Sequence, residues 1–137
     1  MAISKVQKTQ LLGGLRIMVV DDEEDIRTLL AMFLRREGAT VAQADSVIGA
    51  KEFLKTEAEF NIIVCDYKMP GGSGKELILW LKENHYSGGV VLITGHLDNA
   101  SPEIANIQPD MLLQKPISFD QIVIKVIELH TNLTTRN

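Results

Sequence analysis

The length and composition of this chain are those of one globular domain. Its 137 residues are 45% hydrophobic, which is enough for a single core without disulfide or metal staples. A formal net charge of -4 gives no electrostatic reason to expect nucleic-acid binding, and no segment approaches the roughly 20 apolar residues of a membrane span. The lone Cys65 cannot form an internal disulfide, and the first 14 residues lack the apolar core of a signal peptide. We therefore predict a soluble cytoplasmic protein that by itself binds neither nucleic acid nor membrane.

The first predicted strand ends in a block of negative charge. Residues 17–20 form an apolar run typical of a strand buried on both faces, and five acidic residues, 21–25, follow at once. An amphipathic helix comes next and ends near Gly38. Its predicted inward stripe consists of Ile26, Leu29, Leu30, Phe33 and Leu34.

The alternation of strand and helix continues to the end of the chain. We predict further strands over residues 40–43, 61–65, 90–94 and 111–114. The intervening helices are one that carries Val47, Ala50, Phe53 and Leu54, one over about 74–84, a short one within 101–107 that Ser101 caps, and a last one over 117–130. Ser118 and Gln121 form a capping box at the start of the last helix.

Five strand and helix units with short connections predict an α/β fold, a doubly wound five-stranded parallel sheet with helices on both faces. Ligands of such sheets bind outside the carboxyl ends of the strands, where the strand order reverses. Polar side chains occur at the predicted ends of four strands. They are Asp21, Asp22, Asp66, Thr94 and Lys115.

This set of groups points to phosphoryl chemistry. Carboxylates held close together repel and need a counter-charge, which a hard divalent cation such as Mg2+ supplies through oxygen ligands. Lys115 suits a phosphate oxygen, and Thr94 adds a hydrogen-bond donor. Asp66 stands alone at its strand end, so it is the best candidate for a carboxylate nucleophile that forms an aspartyl phosphate.

Four sequence blocks together resemble one known family. The blocks "VVDDEEDIR", "VCDYKMPGGSGKEL", "VLITG" and "LLQKPI" occur in this order. They are similar to the signatures of the response-regulator receiver domain of two-component signalling, which has a flavodoxin-like (βα)5 fold like that of the chemotaxis regulator. On this resemblance we divide the chain into an N-terminal extension, 1–14, a receiver domain, 15–130, and a C-terminal tail, 131–137.

The resemblance implies a role for each acidic residue of the predicted site. Asp66 is the expected phosphoacceptor. Asp22, Asp66 and the backbone carbonyl of Lys68 are the expected Mg2+ ligands, and Asp21 helps to position the ion through water. Glu23, Glu24 and Asp25 need no catalytic role, because carboxylates in the first turn of a helix are favoured by its dipole.

The resemblance also assigns the remaining residues of the site. Lys115 pairs with the phosphoryl group, Thr94 rotates to hydrogen-bond it, and the bond from Lys115 to Pro116 is cis. Gly74 occupies the glycine position of the turn into the third helix. Leu112 departs from the usual pattern, because it replaces the aromatic residue that many receivers carry three positions before the lysine.

The expected function is that of a phosphoryl-accepting switch. A partner histidine kinase or phosphotransfer protein donates to Asp66, and the change alters contacts with a downstream protein or with a second copy through the fourth helix, fifth strand and fifth helix. We expect no enzyme activity beyond self-catalysed phosphorylation and dephosphorylation, and no effector domain in this chain. Two alternatives remain open: a phosphorylation-independent scaffold, and an Mg2+-dependent aspartyl-phosphate phosphohydrolase, against which Lys68 argues because it replaces the general acid of those enzymes.

Overall fold

A five-stranded parallel sheet forms the centre of the protein, as predicted. The structure is a computed structural model that describes residues 11–56, 59–69, 72–95, 102–116 and 118–135. Its strands are β1 (Arg16–Val20), β2 (Thr40–Ala44), β3 (Ile62–Asp66), β4 (Gly89–Thr94) and β5 (Met111–Gln114). The strand order is β2-β1-β3-β4-β5. The order reverses between β1 and β3, so the carboxyl ends of these two strands lie side by side at the position where such sheets bind ligands.

Helices cover both faces of the sheet, which confirms the doubly wound arrangement. The helices are α1 (Glu24–Arg36), α2 (Val47–Lys55), α3 (Gly74–Glu83), α4 (Pro102–Ile107) and α5 (Phe119–Thr135). Buried side chains of α1 and α5 pack on one face, and those of α2, α3 and α4 pack on the other. The strands supply apolar side chains to both clusters in alternation, because successive strand residues point to opposite faces.

The inward face of α1 differs from the predicted stripe. Leu30, Ala31 and Leu34 are buried, whereas Ile26 and Leu29 are 39% and 41% exposed. Hydrophobic spacing gives the apolar side of a helix but not which part of that side has a neighbour. Only a narrow strip of α1 contacts the core. The first turn of the helix, with Ile26, therefore lies beside the carboxyl end of β1 and outside the core.

The last helix is longer than predicted, and the start of the chain contributes to the core. Helix α5 continues past His130 to Thr135, so residues 131–135 are helical. Leu12 is fully buried, and its N–H donates to the carbonyl of Glu37 at 2.7 Å. The division of the chain at residues 14 and 130 therefore stays a prediction, with structured residues on both sides of it. Across the described part of the chain, no helix combines the length and hydropathy needed to span a membrane.

Candidate functional site

Three carboxylates meet at the switch point of the sheet. Asp66 is the last residue of β3, and Asp21 and Asp22 follow β1 directly. One carboxylate oxygen from each of the three residues lies within 4.8 Å of the others. Asp21 and Asp66 are buried, with 6% and 7% of their surface exposed, and Asp22 faces solvent. The convergence predicted from the parallel strands is therefore present in the structure.

The loop that carries Asp21 is fixed by several hydrogen bonds. The N–H of Asp21 donates to the carbonyl of Ala44 in β2 at 3.1 Å, and the N–H of Glu23 donates to Asp21 Oδ1 at 2.9 Å. On α1, Arg27 donates from Nη1 to the backbone carbonyl of Asp21 at 2.9 Å. The acidic block therefore starts as an ordered turn, and its remaining residues, Glu24 and Asp25, lie in the first turn of α1.

Lys115 brings a positive charge to Asp66. Its Nζ lies 3.0 Å from Asp66 Oδ1, and its backbone N–H donates to the carbonyl of Thr94 at 2.8 Å. Thr94 itself is buried at the end of β4, and the bond between Lys115 and Pro116 is cis, as predicted. The ends of β3, β4 and β5 are thus joined around one carboxylate.

The environment raises the pKa of Asp66, Asp21 and Lys115. Burial raises the pKa of Asp66, although the hydrogen bond and charge of Lys115 oppose the rise. Burial also raises the pKa of Asp21, against the hydrogen bond from Glu23, and the charge of Asp66 adds to the rise. For Lys115 burial acts to lower the pKa, but the hydrogen bond and charge of Asp66 raise it overall. Asp21 and Asp66 are therefore held in surroundings that disfavour their charge.

The donor set of the site fits a hard divalent cation. Three carboxylates within 4.8 Å of one another offer only oxygen ligands, and exposed Asp22 leaves a side open to water. A cation at this place would also favour the ionised forms of Asp21 and Asp66, whose charge burial disfavours. The cluster can therefore bind a divalent ion.

The turn after β3 holds Lys68 and Gly74 close to Asp66. Lys68–Met69 pairs antiparallel with Gly72–Ser73, and α3 begins immediately afterwards. A Cβ atom at Gly74 would lie 2.6 Å from Leu92 Cδ1 and 3.2 Å from the carbonyl oxygen of Asp66. This close approach explains why glycine occupies the position, as the resemblance implies, and why the helix can begin so near the end of β3.

Sequence reasoning missed two features near the site. The bond from Arg27 to the Asp21 carbonyl could not be read from spacing, and its only signal was an arginine one turn into α1. A cavity of about 560 Å³ also opens between α1 and α5, with Asp21 and Lys115 among its lining residues. Its other walls are mostly apolar, and exposed Ile26 is one of them.

Comparisons with known proteins agree with this geometry. A sequence model described as the response regulator receiver domain matches residues 17–127. The response regulator protein PilR of Pseudomonas aeruginosa is 37% identical over 87 residues, which is 62% of this chain and 19% of PilR. The two-component response regulator ORR13 of Oryza sativa subsp. japonica is 33% identical over 88 residues, 64% of this chain and 73% of that protein.

A solved structure shows the same fold. The CheY-like response regulator receiver domain protein from Methanospirillum hungatei matches with a TM-score of 0.81 at 24% identity, over 90% of this chain and 98% of that one. At this identity the likeness concerns the fold alone. Because the family's sequence model covers most of the chain, including both strands that carry the carboxylates, this protein belongs to the response regulator receiver domain family.

Proposed function

We propose that this chain is a phosphoryl-accepting switch and that Asp66 accepts the phosphoryl group. The observation that supports this most directly is the position of Asp66, whose carboxylate contacts Lys115 at 3.0 Å and lies within 4.8 Å of Asp21 and Asp22. A nucleophilic carboxylate, a fixed cation and a set of oxygen ligands are the parts that phosphoryl transfer to aspartate needs.

The proposed reaction moves one phosphoryl group from a phosphohistidine to the protein. An Asp66 oxygen attacks phosphorus, a P–O bond forms, and the P–N bond to the donor imidazole breaks. Lys115 holds a phosphoryl oxygen with its ammonium group, and Thr94 donates a hydrogen bond to another. Hydrolysis of the aspartyl phosphate later returns Asp66 to its starting form and releases inorganic phosphate.

We propose Mg2+ as the ion of the site, with Asp22, Asp66 and the backbone carbonyl of Lys68 as ligands and Asp21 acting through water. Mg2+ prefers a few carboxylates together with water and phosphate oxygens, and this cluster offers that set. When bound, the ion supplies positive charge to the phosphoryl oxygens during transfer. The exposed side of Asp22 leaves the open positions that incoming oxygens require.

The proposed output is a change in protein contacts. Short α4 and the loops after β4 and β5 are the parts that Thr94 and Lys115 can influence, because these residues end or follow those strands. Ile124 on α5 is 53% exposed and can contribute to a homodimer through α4, β5 and α5, whereas Leu129 on the same helix is buried. Leu112 is half-buried against the face of the sheet covered by α2, α3 and α4, so the proposed change involves no aromatic side chain at this position.

The proposed phosphodonor is a histidine kinase or phosphotransfer protein, and the proposed location of this chain is the cytoplasm. Family membership supports this class of donor but not its identity. The chain spans 19% of PilR, so the activities of such longer relatives do not carry over to it as a whole.

Intact mass spectrometry after incubation with acetyl phosphate and Mg2+ tests the proposal. We expect the wild type to gain the mass of one phosphoryl group and Asp66→Ala to gain none. Asp120→Asn, which changes an exposed aspartate in the first turn of α5, is the matched control and should gain as the wild type does.

The alternatives give different results in the same experiment. No mass gain in the wild type, while a known receiver reacts alongside, would exclude the switch and favour a phosphorylation-independent scaffold. Continuous release of phosphate with many turnovers and no accumulated aspartyl phosphate would indicate a phosphohydrolase.

A further inference from the structure

Arg27 lies beside the acidic cluster without pairing with any of its three carboxylates in the contacts that the structure describes. Its Nη1 donates to the backbone carbonyl of Asp21 at 2.9 Å, and its Nε donates to the side-chain amide oxygen of Gln43 at 3.3 Å. Both acceptors are neutral. The guanidinium therefore holds the backbone of the site while leaving the carboxylate oxygens to a cation.

The acceptor carbonyl belongs to the peptide that joins Asp21 to Asp22. A hydrogen bond to this oxygen limits rotation of the peptide plane, and the direction of the Asp22 side chain depends on that plane. The N–H on the other side of Asp21 is already bonded to Ala44 in β2. With both ends of Asp21 bonded, the two acidic side chains keep one relative arrangement.

Gln43 connects this arrangement to the sheet. It lies in β2, paired in register with Val19 of β1, and it is half-buried. Arg27 is half-buried as well and rises from the first turns of α1. The chain of contacts from Gln43 to Arg27 to the Asp21 carbonyl thus ties strand, helix and loop at one point.

We propose that Arg27, held by Gln43, is a positioning residue that sets the affinity of the acidic cluster for Mg2+. The inference rests on the proposed function of the cluster. Residues that orient metal ligands without touching the metal commonly change affinity by about 10-fold or more when they are removed. Arg27 meets this description because it bonds the backbone of the proposed ligands and not their carboxylates.

A purely electrostatic role and a positioning role for Arg27 predict opposite changes in Mg2+ affinity when the residue is replaced. Removing a cation close to three carboxylates makes their surroundings more negative, so a purely electrostatic role for Arg27 would mean tighter Mg2+ binding in Arg27→Ala. Loss of positioning means weaker binding. The sign of the change therefore distinguishes the two roles.

The test is calorimetric titration of the 137-residue chain with MgCl2, combined with urea unfolding in EDTA. We expect Arg27→Ala to weaken Mg2+ binding about 10-fold, and Arg27→Lys, which keeps the charge but not the forked geometry, to weaken it as well. Gln43→Ala changes no charge and should weaken binding by a smaller factor. The double variant Arg27→Ala/Gln43→Ala should be no weaker than Arg27→Ala, because the two residues act through one contact.

Arg35 offers a matched control on the same helix. Its Nη2 donates to a backbone carbonyl of β2, that of Val41, at the same distance of 2.9 Å, but away from the acidic cluster. Arg35→Ala removes the same charge and the same kind of bond, so it should leave Mg2+ affinity within about twofold while lowering the midpoint of urea unfolding in EDTA.

The remaining outcomes contradict either the role of Arg27 or the proposed function of the acidic cluster. Unchanged or tighter Mg2+ binding in Arg27→Ala, or equal weakening in Arg35→Ala, contradicts the inference and leaves the proposed function intact. If Arg27→Ala does not fold, Arg27→Lys and Gln43→Ala decide the question. A wild type that shows no Mg2+ binding contradicts both the inference and the proposed role of the cluster.

Discussion

At the scale of single residues, the site places negative charges where burial and mutual repulsion disfavour them in the folded protein. Asp21 is buried close to Asp66, and burial first and then the charge of Asp66 raise its pKa above the ordinary value of 3.8. The folded state therefore holds the Asp21 proton more tightly than the unfolded chain does. The stability that this provides is present at pH values below the ordinary pKa and is lost as pH rises through the raised pKa of the folded state.

Removal of the Asp21 charge should accordingly stabilise the metal-free protein. We expect Asp21→Asn to raise the free energy of unfolding at pH 8 in EDTA by about 0.5–2 kcal/mol, the usual range for relieving a conflict of charge. Asn Oδ1 can still accept the bond from the Glu23 N–H. Urea unfolding from pH 4 to pH 8 measures the effect, and stability should fall less steeply with pH in Asp21→Asn than in the wild type.

The neighbouring Asp25 gives the control for this substitution. It is exposed in the first turn of α1, where the helix dipole favours a negative charge. Asp25→Asn should therefore leave stability unchanged or lower it by a few tenths of a kcal/mol. A loss of stability in Asp21→Asn that equals or exceeds that of Asp25→Asn would contradict the claim that the charge of Asp21 destabilises the metal-free protein.

At the scale of elements, the position of Asp66 depends on how closely α3 approaches the end of β3. The N–H of Gly74 donates to the carbonyl of Tyr67 at 2.7 Å, and Ser73 caps the helix by accepting from the N–H of Glu76 at 3.4 Å. There is no room for a methyl group at Gly74, because Leu92 occupies the space that a Cβ atom would need.

A side chain at Gly74 should disturb this junction. We expect Gly74→Ala to lower the free energy of unfolding by about 1–3 kcal/mol, since overpacking forces neighbouring atoms to shift. Gly95→Ala is the matched control, because a Cβ atom at Gly95 would meet no heavy atom within 4 Å. Equal stability of Gly74→Ala and the wild type by urea unfolding would mean that Leu92 moves aside without cost.

The elements also show what the sequence could and could not predict. Most strands were predictable within a residue or so, because short apolar runs that end in polar residues are typical of strands in a buried parallel sheet. The face of α1 was not, since Ile26 of the predicted stripe is exposed whereas Ala31, outside that stripe, is buried, and spacing alone does not show which positions gain neighbours. Helix α5 runs beyond its predicted end because Leu133 in the polar segment after His130 packs against the core.

At the scale of the whole molecule, the candidate site follows from the topology. Parallel strands present their carboxyl ends at one edge, so Asp21, Asp22 and Asp66 could be placed together from the sequence, and the structure confirms that they meet. The contact of Arg27 with the Asp21 carbonyl could not, because it depends on the conformation of a long side chain. Sequence order therefore predicts where charged groups gather, and packing decides which groups hold them in place.

This arrangement predicts that Mg2+ and folding are linked. An ion that binds only the assembled cluster stabilises the fold by RT ln(1 + [Mg2+]/Kd), about 2.7 kcal/mol at 100-fold excess over Kd. We expect urea unfolding of the wild type to show this gain with MgCl2 but not with KCl at equal ionic strength. Asp22→Asn should lose most of the gain without lowering the stability of the metal-free protein, since Asp22 is exposed and its charge acts against that of Asp66. An equal Mg2+ effect on Asp22→Asn and on the wild type would place the bound ion elsewhere on the surface, because the strands bring the three carboxylates together only in the folded state.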